Sequence, residues 1–162
     1  MKKILNPWVN RPEYDCFGCS PNNPIGLHLE FYEDGDDIVT VWYPQTHYQG
    51  WIGTLHGGIL CTLMDETAGW VVNRKLQTSG VTSNLEIKYR KPVKTDEGSI
   101  TIRAHVIDQH RNIVYIYVMV TNDKGDVCTD GTIVYYTFGS EKAKEMGFEH
   151  CKAEDENGEL SR

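Results

Sequence analysis

Hydrophobic positions follow two regimes along this chain, and the change falls at Gln77-Thr78-Ser79-Gly80. Before it, one extended apolar run passes through Ile59, Leu60, Cys61, Leu63, Met64, Ala68, Trp70, Val71 and Val72 and stops at Asn73-Arg74-Lys75. Such a run predicts a buried helix from Gly57-Gly58 to about Asn73. Beyond Gly80 the period is two. Leu85, Ile87 and Tyr89 alternate with Glu86, Lys88 and Arg90, and Ile100, Ile102, Ala104 and Val106 share one face of the next strand. Residues 113–121 are apolar on both faces, which predicts a central strand. Asn122-Asp123-Lys124-Gly125-Asp126 reads as a hairpin turn leading into a last strand over 127–138. Ahead of the helix, Leu27, Leu29 and Phe31 alternate with polar residues in a predicted first strand over 26–32. The turn Asp34-Gly35-Asp36-Asp37 then leads to a second strand over 38–43, closed by Pro44. The predicted order is β-β-α-β-β-β-β. The economical packing is an α+β fold, an antiparallel sheet wrapped around one long central helix.

The flanks read differently. Pro7, Pro12, Pro21 and Pro24 make residues 1–25 an irregular arm, which Trp8, Tyr14 and Phe17 should pack onto the body. Residues 26–139 form the single folded domain. Residues 140–162 are a charged tail with room for a short helix at 141–146, and its final dozen residues are expected to be disordered.

Composition narrows the function classes. A formal net charge of −7 argues against a general nucleic-acid binder. No apolar run approaches the ~18 residues of a membrane span. Met1-Lys2-Lys3 is a basic start, but Asn6, Pro7, Asn10, Arg11 and Pro12 interrupt any secretory core, so a cytoplasmic location is expected. Five cysteines, an odd number, speak against a disulfide framework. Cys61 and Cys128 read as small buried hydrophobes.

The chemistry concentrates in the helix. Asp65 and Glu66 interrupt its apolar run, and a buried carboxylate is costly unless compensated. Gly57 and Gly58 open it, where backbone N–H groups lack intrahelical partners and the helix dipole favours negative charge. A developing oxyanion would be stabilised by such donors, with Gly58 the first candidate and Gly57 the second. A carboxylate can activate water or act as the nucleophile. Gly58 and Asp65 are seven residues apart, so they share a helix face but lie ~10 Å apart along it. One carbonyl cannot reach both, whereas a two-fold dimer could set the helix start of one chain beside Asp65 of the other.

The combination Gly53-Thr54-Leu55-His56-Gly57-Gly58, Asp65 nine residues after His56, and the strand from Gly80 to Tyr89 resembles the hotdog-fold acyl-CoA thioesterases, most nearly their PaaI-like branch. Cys16-Phe17-Gly18-Cys19 and Asn23-Pro24-Ile25-Gly26-Leu27 are similar to a leader found in that branch. The resemblance implies a hotdog homodimer, also found as a tetramer, with active sites between subunits. It implies acyl-CoA or acyl carrier protein thioesters as small-molecule substrates, no cofactor, and hydrolysis by water assisted by an acid at Asp65 rather than Glu66. Thr82 falls where this family holds its water or acid with a hydroxyl, and Ser83 is the neighbouring candidate. His56 could steer substrate or support its loop. Relatives carry an asparagine before the His-Gly-Gly motif. Here Gly50 stands near that place, and Gln49 is the amide at hand. A non-catalytic acyl-CoA-binding module is the alternative function, and the histidine-centred motif of hotdog dehydratases is missing.

Two further groups stand apart. Lys88, Arg90, Lys91 and Lys94 form a basic cluster that could meet the phosphates of coenzyme A or simply be a solvated strand face. The Cys16-x-x-Cys19 pair offers two of the four ligands of a structural zinc site. His150 and Cys151 would have to complete it, so no metal is assigned.

Overall fold

The computed structural model describes residues 1–159. Its seven strands are β1 (Lys2–Lys3), β2 (Tyr32–Asp34), β3 (Asp37–Trp42), β4 (Gly80–Tyr89), β5 (Ile100–His110), β6 (Ile113–Asn122) and β7 (Val127–Thr137). They form one antiparallel sheet in the order β1-β2-β3-β5-β6-β7-β4. The long helix α1 (Gly57–Lys75) joins β3 to β4, which sits at the far edge. It must therefore cross the sheet, and it packs on β3, β4, β5, β6 and β7 in doing so. This is the sheet-around-a-helix architecture that the periodicities predict.

Burial follows the two periods. Leu63, Met64, Ala68 and Val71 of α1 are fully buried against Ile102, Ala104, Val114, Ile116, Val118 and Ile133 of the sheet. Each of the leucine, methionine, isoleucine and valine side chains contributes about 1.5–3 kcal/mol by leaving water. β6 lies between β5 and β7 as expected of a central strand. Its two faces differ, however. Val114, Ile116, Val118 and Val120 are buried, while Ile113, Tyr115, Tyr117 and Met119 are only half-buried on the face away from α1.

Three boundaries move. The helix runs to Lys75, two residues past the predicted stop. The alternation over 26–32 yields the expected burial of Leu27, Leu29 and Phe31, but only Tyr32–Asp34 is a strand. His28 takes a positive φ of 52°, which breaks the extended backbone, and the N–H groups of Leu27 and Leu29 bond to Phe17 and Gly18 of the arm instead of to a sheet neighbour. In the tail, helix α2 (Ser140–Glu145) forms close to the predicted place. The segment after it is seated rather than loose: Phe148, Cys151 and Ala153 are buried, and Ala153 bridges Ile4 of the arm. Residues 160–162, at the end of the expected disordered stretch, lie outside the described residues.

An ionic clamp fixes that segment to the end of α1. Arg74 bonds Glu33 at 2.7 Å, Glu156 at 2.6 Å and the Cys151 carbonyl at 2.9 Å, while Lys75 also pairs with Glu33. Two cations in the last turn complement the helix dipole. Among the described residues, no helix is long and apolar enough to cross a membrane.

Candidate active site

Asp65 sits in the middle of α1 and turns toward the paired strands β4 and β7. Thr82 and Tyr135 are direct partners across those strands, so their side chains stand on the same face of the sheet. Both reach one carboxylate oxygen. Thr82 Oγ1 donates to Asp65 Oδ1 at 2.7 Å, and Tyr135 Oη donates to the same atom at 3.1 Å and to the Asp65 carbonyl at 2.9 Å. Oδ2 has no partner among the described residues. Burial, then the Asp65 charge, pushes the Tyr135 phenol above its ordinary range, so it stays protonated and donates. Gly69 makes room for this contact, because a Cβ there would stand 3.0 Å from Tyr135 Oη.

Tyr135 is the residue that sequence reasoning missed. Its only signal is register: it is the cross-strand neighbour of Thr82. A β-bulge between Thr82 and Asn84 separates the two hydroxyl candidates. Thr82 points at the helix, whereas Ser83 is the bulged residue and donates to the Val134 carbonyl at 3.1 Å.

The helix start is arranged around His56. It is the N-cap, and its Nδ1 accepts from the Gly58 N–H at 2.9 Å. The first candidate donor is therefore engaged within its own chain, while the Gly57 N–H has no partner among the described residues. Tyr89 Oη donates to the Gly57 carbonyl at 2.7 Å and lies 2.9 Å from Cys61 Sγ, tying the end of β4 to the helix start. Gln49 spends its carbonyl oxygen on the Gly53 N–H at 3.1 Å, which leaves its amide NH₂ as a donor.

Three other candidates are not brought to Asp65. Glu66 turns to the arm, where its Oε1 accepts from Trp70 Nε1 at 3.2 Å and from Cys16 Sγ at 3.5 Å. Lys88 and Arg90 lie on the outer face of β4, lining a cavity with Glu86, Tyr117 and Asp130. Arg90 is held there by both oxygens of Asp130, at 2.6 and 3.1 Å, and this pairing first of all keeps the Asp130 carboxyl below its usual range. Lys91 pairs with Asp126 at 3.2 Å, while Lys88 and Lys94 have no carboxylate within 4 Å among the described residues. Cys151 is not among the ligand-capable side chains gathered around Cys16 and Cys19.

Similar proteins point the same way. The thioesterase superfamily signature matches residues 52–129, from the loop before α1 into β7. Human acyl-coenzyme A thioesterase 13 is 36% identical over 72 residues, 44% of this chain and 51% of that protein. The chain thus spans about half the length of the curated relatives it matches. A thioesterase protein of Streptococcus pneumoniae TIGR4, solved with coenzyme A, is 28% identical with a TM-score of 0.63, covering 68% of this chain and 89% of that one. Zebra fish thioesterase superfamily member 2 is 25% identical with a TM-score of 0.61, covering 68% and 81%. This sheet and helix, an acid held on the helix by strand hydroxyls, and these matches make the chain similar to the thioesterase superfamily over residues 52–129.

Proposed function

We propose that this protein hydrolyses acyl thioesters of coenzyme A to the free acid and coenzyme A. The observation that carries the reading is the Asp65 carboxylate, fixed at Oδ1 by Thr82 and Tyr135 and open at Oδ2. Oδ2 takes the proton of a water as it attacks the thioester carbon. The carbonyl oxygen is received by the Gly57 N–H, with the Gly58 N–H joining when His56 releases it. Ser83 and Glu66 stay outside this reaction, and Gln49 offers its NH₂ at the loop edge. Lys88 and Lys94 are the cations left to meet phosphate, and coenzyme A bound to the pneumococcal relative supports that substrate class.

The site is shared between two subunits. Asp65 and the helix start are ~10 Å apart on one helix, so each chain supplies half of two sites. β4 supports this: it is a ten-residue strand at the sheet edge, with Val81, Leu85 and Tyr89 exposed. An open edge of that kind is a template for a second copy. Trp51 and Ile52, 84% and 96% exposed beside the helix start, add apolar surface for the same contact. A tetramer would then pack two such dimers. Five unpaired thiols support a cytoplasmic setting.

The test is a panel of short, long and aryl acyl-CoA substrates with wild type and Asp65→Asn. Asparagine keeps an oxygen for Thr82 and Tyr135 but loses the base. Turnover by wild type and a drop of roughly 10²–10⁴-fold in the variant are expected. Tight binding of acyl-CoA without turnover would instead assign an acyl-CoA-binding module, and undiminished turnover by the variant would remove Asp65 from the reaction.

A further inference from the structure

The arm and the helix bring three metal-ligating groups together around Glu66, the residue after Asp65. Cys16 Sγ and Cys19 Sγ lie 3.2 Å apart, and Glu66 approaches Cys16 at 3.5 Å. All three donor atoms fall within 4.8 Å of one another, the single such group among the described residues. Donors around one tetrahedral zinc, with sulfur at about 2.3 Å and oxygen at about 2.0–2.2 Å, stand ~3.5–3.8 Å apart. The spacing therefore fits one ion with small adjustments.

The surroundings are built for this arrangement. A Cβ on Gly18 would sit 2.5 Å from the Glu66 carboxyl carbon, so glycine is what lets the carboxylate reach the cysteine turn. Trp70 holds Glu66 Oε1, leaving Oε2 without a hydrogen bond among the described residues. The carbonyls of Cys16, Phe17 and Gly18 are all bonded, to Ser20, Leu27 and Leu29, which fixes the loop. The open side faces a cavity of ≈350 Å³ lined by Tyr14, Trp70 and Arg11, with room for solvent. Tyr14 Oη lies 2.8 Å from Cys19 Sγ and is itself anchored by Asn6.

We infer that Cys16, Cys19 and Glu66 bind one zinc ion, with a water from the cavity in the fourth position. Two thiolates and a carboxylate select zinc over the hard cations calcium and magnesium. The ion ties the arm to α1 through the residue next to Asp65. Its role is to hold that stretch in place, and the hydrolytic reaction does not pass through it. As the thiols ionise on binding, their protons leave to solvent.

Elemental analysis of full-length protein, purified without chelators and dialysed after incubation with Zn²⁺, tests this. One zinc per chain is expected, falling below about a tenth in Cys16→Ser with Cys19→Ser. Glu66→Gln keeps both thiols and the shape of the side chain. It should raise the zinc Kd, measured by competition with a chromophoric chelator, by at least about 10-fold. Cobalt substitution should give thiolate-to-metal charge-transfer bands in wild type. Wild type holding no zinc after incubation overturns the site, whether the two thiols titrate as free or mass analysis finds them joined with loss of two hydrogens. Zinc bound equally well by the double serine variant overturns it as well.

Discussion

Removing the Tyr135 hydroxyl isolates the part of the site that holds the acid in place. In Tyr135→Phe, Asp65 Oδ1 loses the 3.1 Å bond and keeps the 2.7 Å bond from Thr82. A hydrogen bond to a charged group is worth about 1.5–3 kcal/mol. If all of it serves to orient the carboxylate as water attacks, kcat falls by about 10- to 150-fold. Stability moves much less. The ring stays buried, the Asp65 carbonyl keeps its helical partner, and an ordinary hydroxyl bond nets about 0.5–1.5 kcal/mol. In a chain of this size that is a loss of at most about 6 °C in Tm. Initial rates across substrate concentrations, beside thermal melts, separate the two effects. Thr82→Val should act similarly, and the double variant should lose less than the product of the single losses, because both hydroxyls hold one atom. A kcat within about twofold of wild type, or a loss confined to KM, would show that Tyr135 does not position the acid.

Gly69→Ala gives a sharper split. Alanine favours the helix by up to about 1 kcal/mol, so Tm should hold or rise. Its Cβ would press on Tyr135 Oη from 3.0 Å, and a shift of a few tenths of an ångström should cost roughly 3- to 10-fold in kcat; unchanged rates would mean the tyrosine has slack. The clamp on Arg74 sets an acid limit. Hydrogen bonding to Arg74 above all holds the Glu156 carboxyl down at about 2, against 4.5 unperturbed. A depressed carboxyl stabilises above its unfolded pKa and loses that contribution as pH falls from about 4.5 toward 2. Glu156→Gln should therefore melt lower than wild type near neutrality and show a shallower decline over that window, and parallel pH profiles of the two proteins would exclude the clamp. Thr40 is fully buried and its Oγ1 has no partner among the described residues. Thr40→Val should leave Tm unchanged or raise it, since an unpaired buried hydroxyl costs about 1–3 kcal/mol, and a clear drop would reveal a bond to that oxygen.

What the sequence conveyed divides by distance along the chain. The long helix, the turns and the central strand come from local periodicity, and so does the step from Gly57-Gly58 to Asp65. Thr82 was reachable through the motif around it. Tyr135 was not, because its meeting with Asp65 depends on β7 lying beside β4 in one register. Glu66 illustrates the same limit: it is helical neighbour to Asp65, yet its partner is Cys16, fifty residues earlier in a loop whose path no periodicity specifies. The capping of Gly58 by His56 is local, but an imidazole acceptor is an unusual cap, and side-chain oxygens are the expected ones. The strand over 26–32 failed through a single residue, since alternation reports which side chains are buried and not whether the backbone stays extended at His28.

The bulge at Ser83 marks the one place where this strand could lose a residue and keep its register. It acts as a spatial reading frame: residues before it and after it address α1 with opposite parity. Removing Ser83 would leave Thr82 on Tyr135, Asn84 on Val134 and Leu85 on Ile133 in plain alternation, so Thr82 would keep Asp65. Losing a residue from 85–89 with the bulge kept would instead turn the remainder of the strand to the opposite face. The acid's hydroxyl partner is thus set by pairing across the strands, and the one spare residue lies beside it.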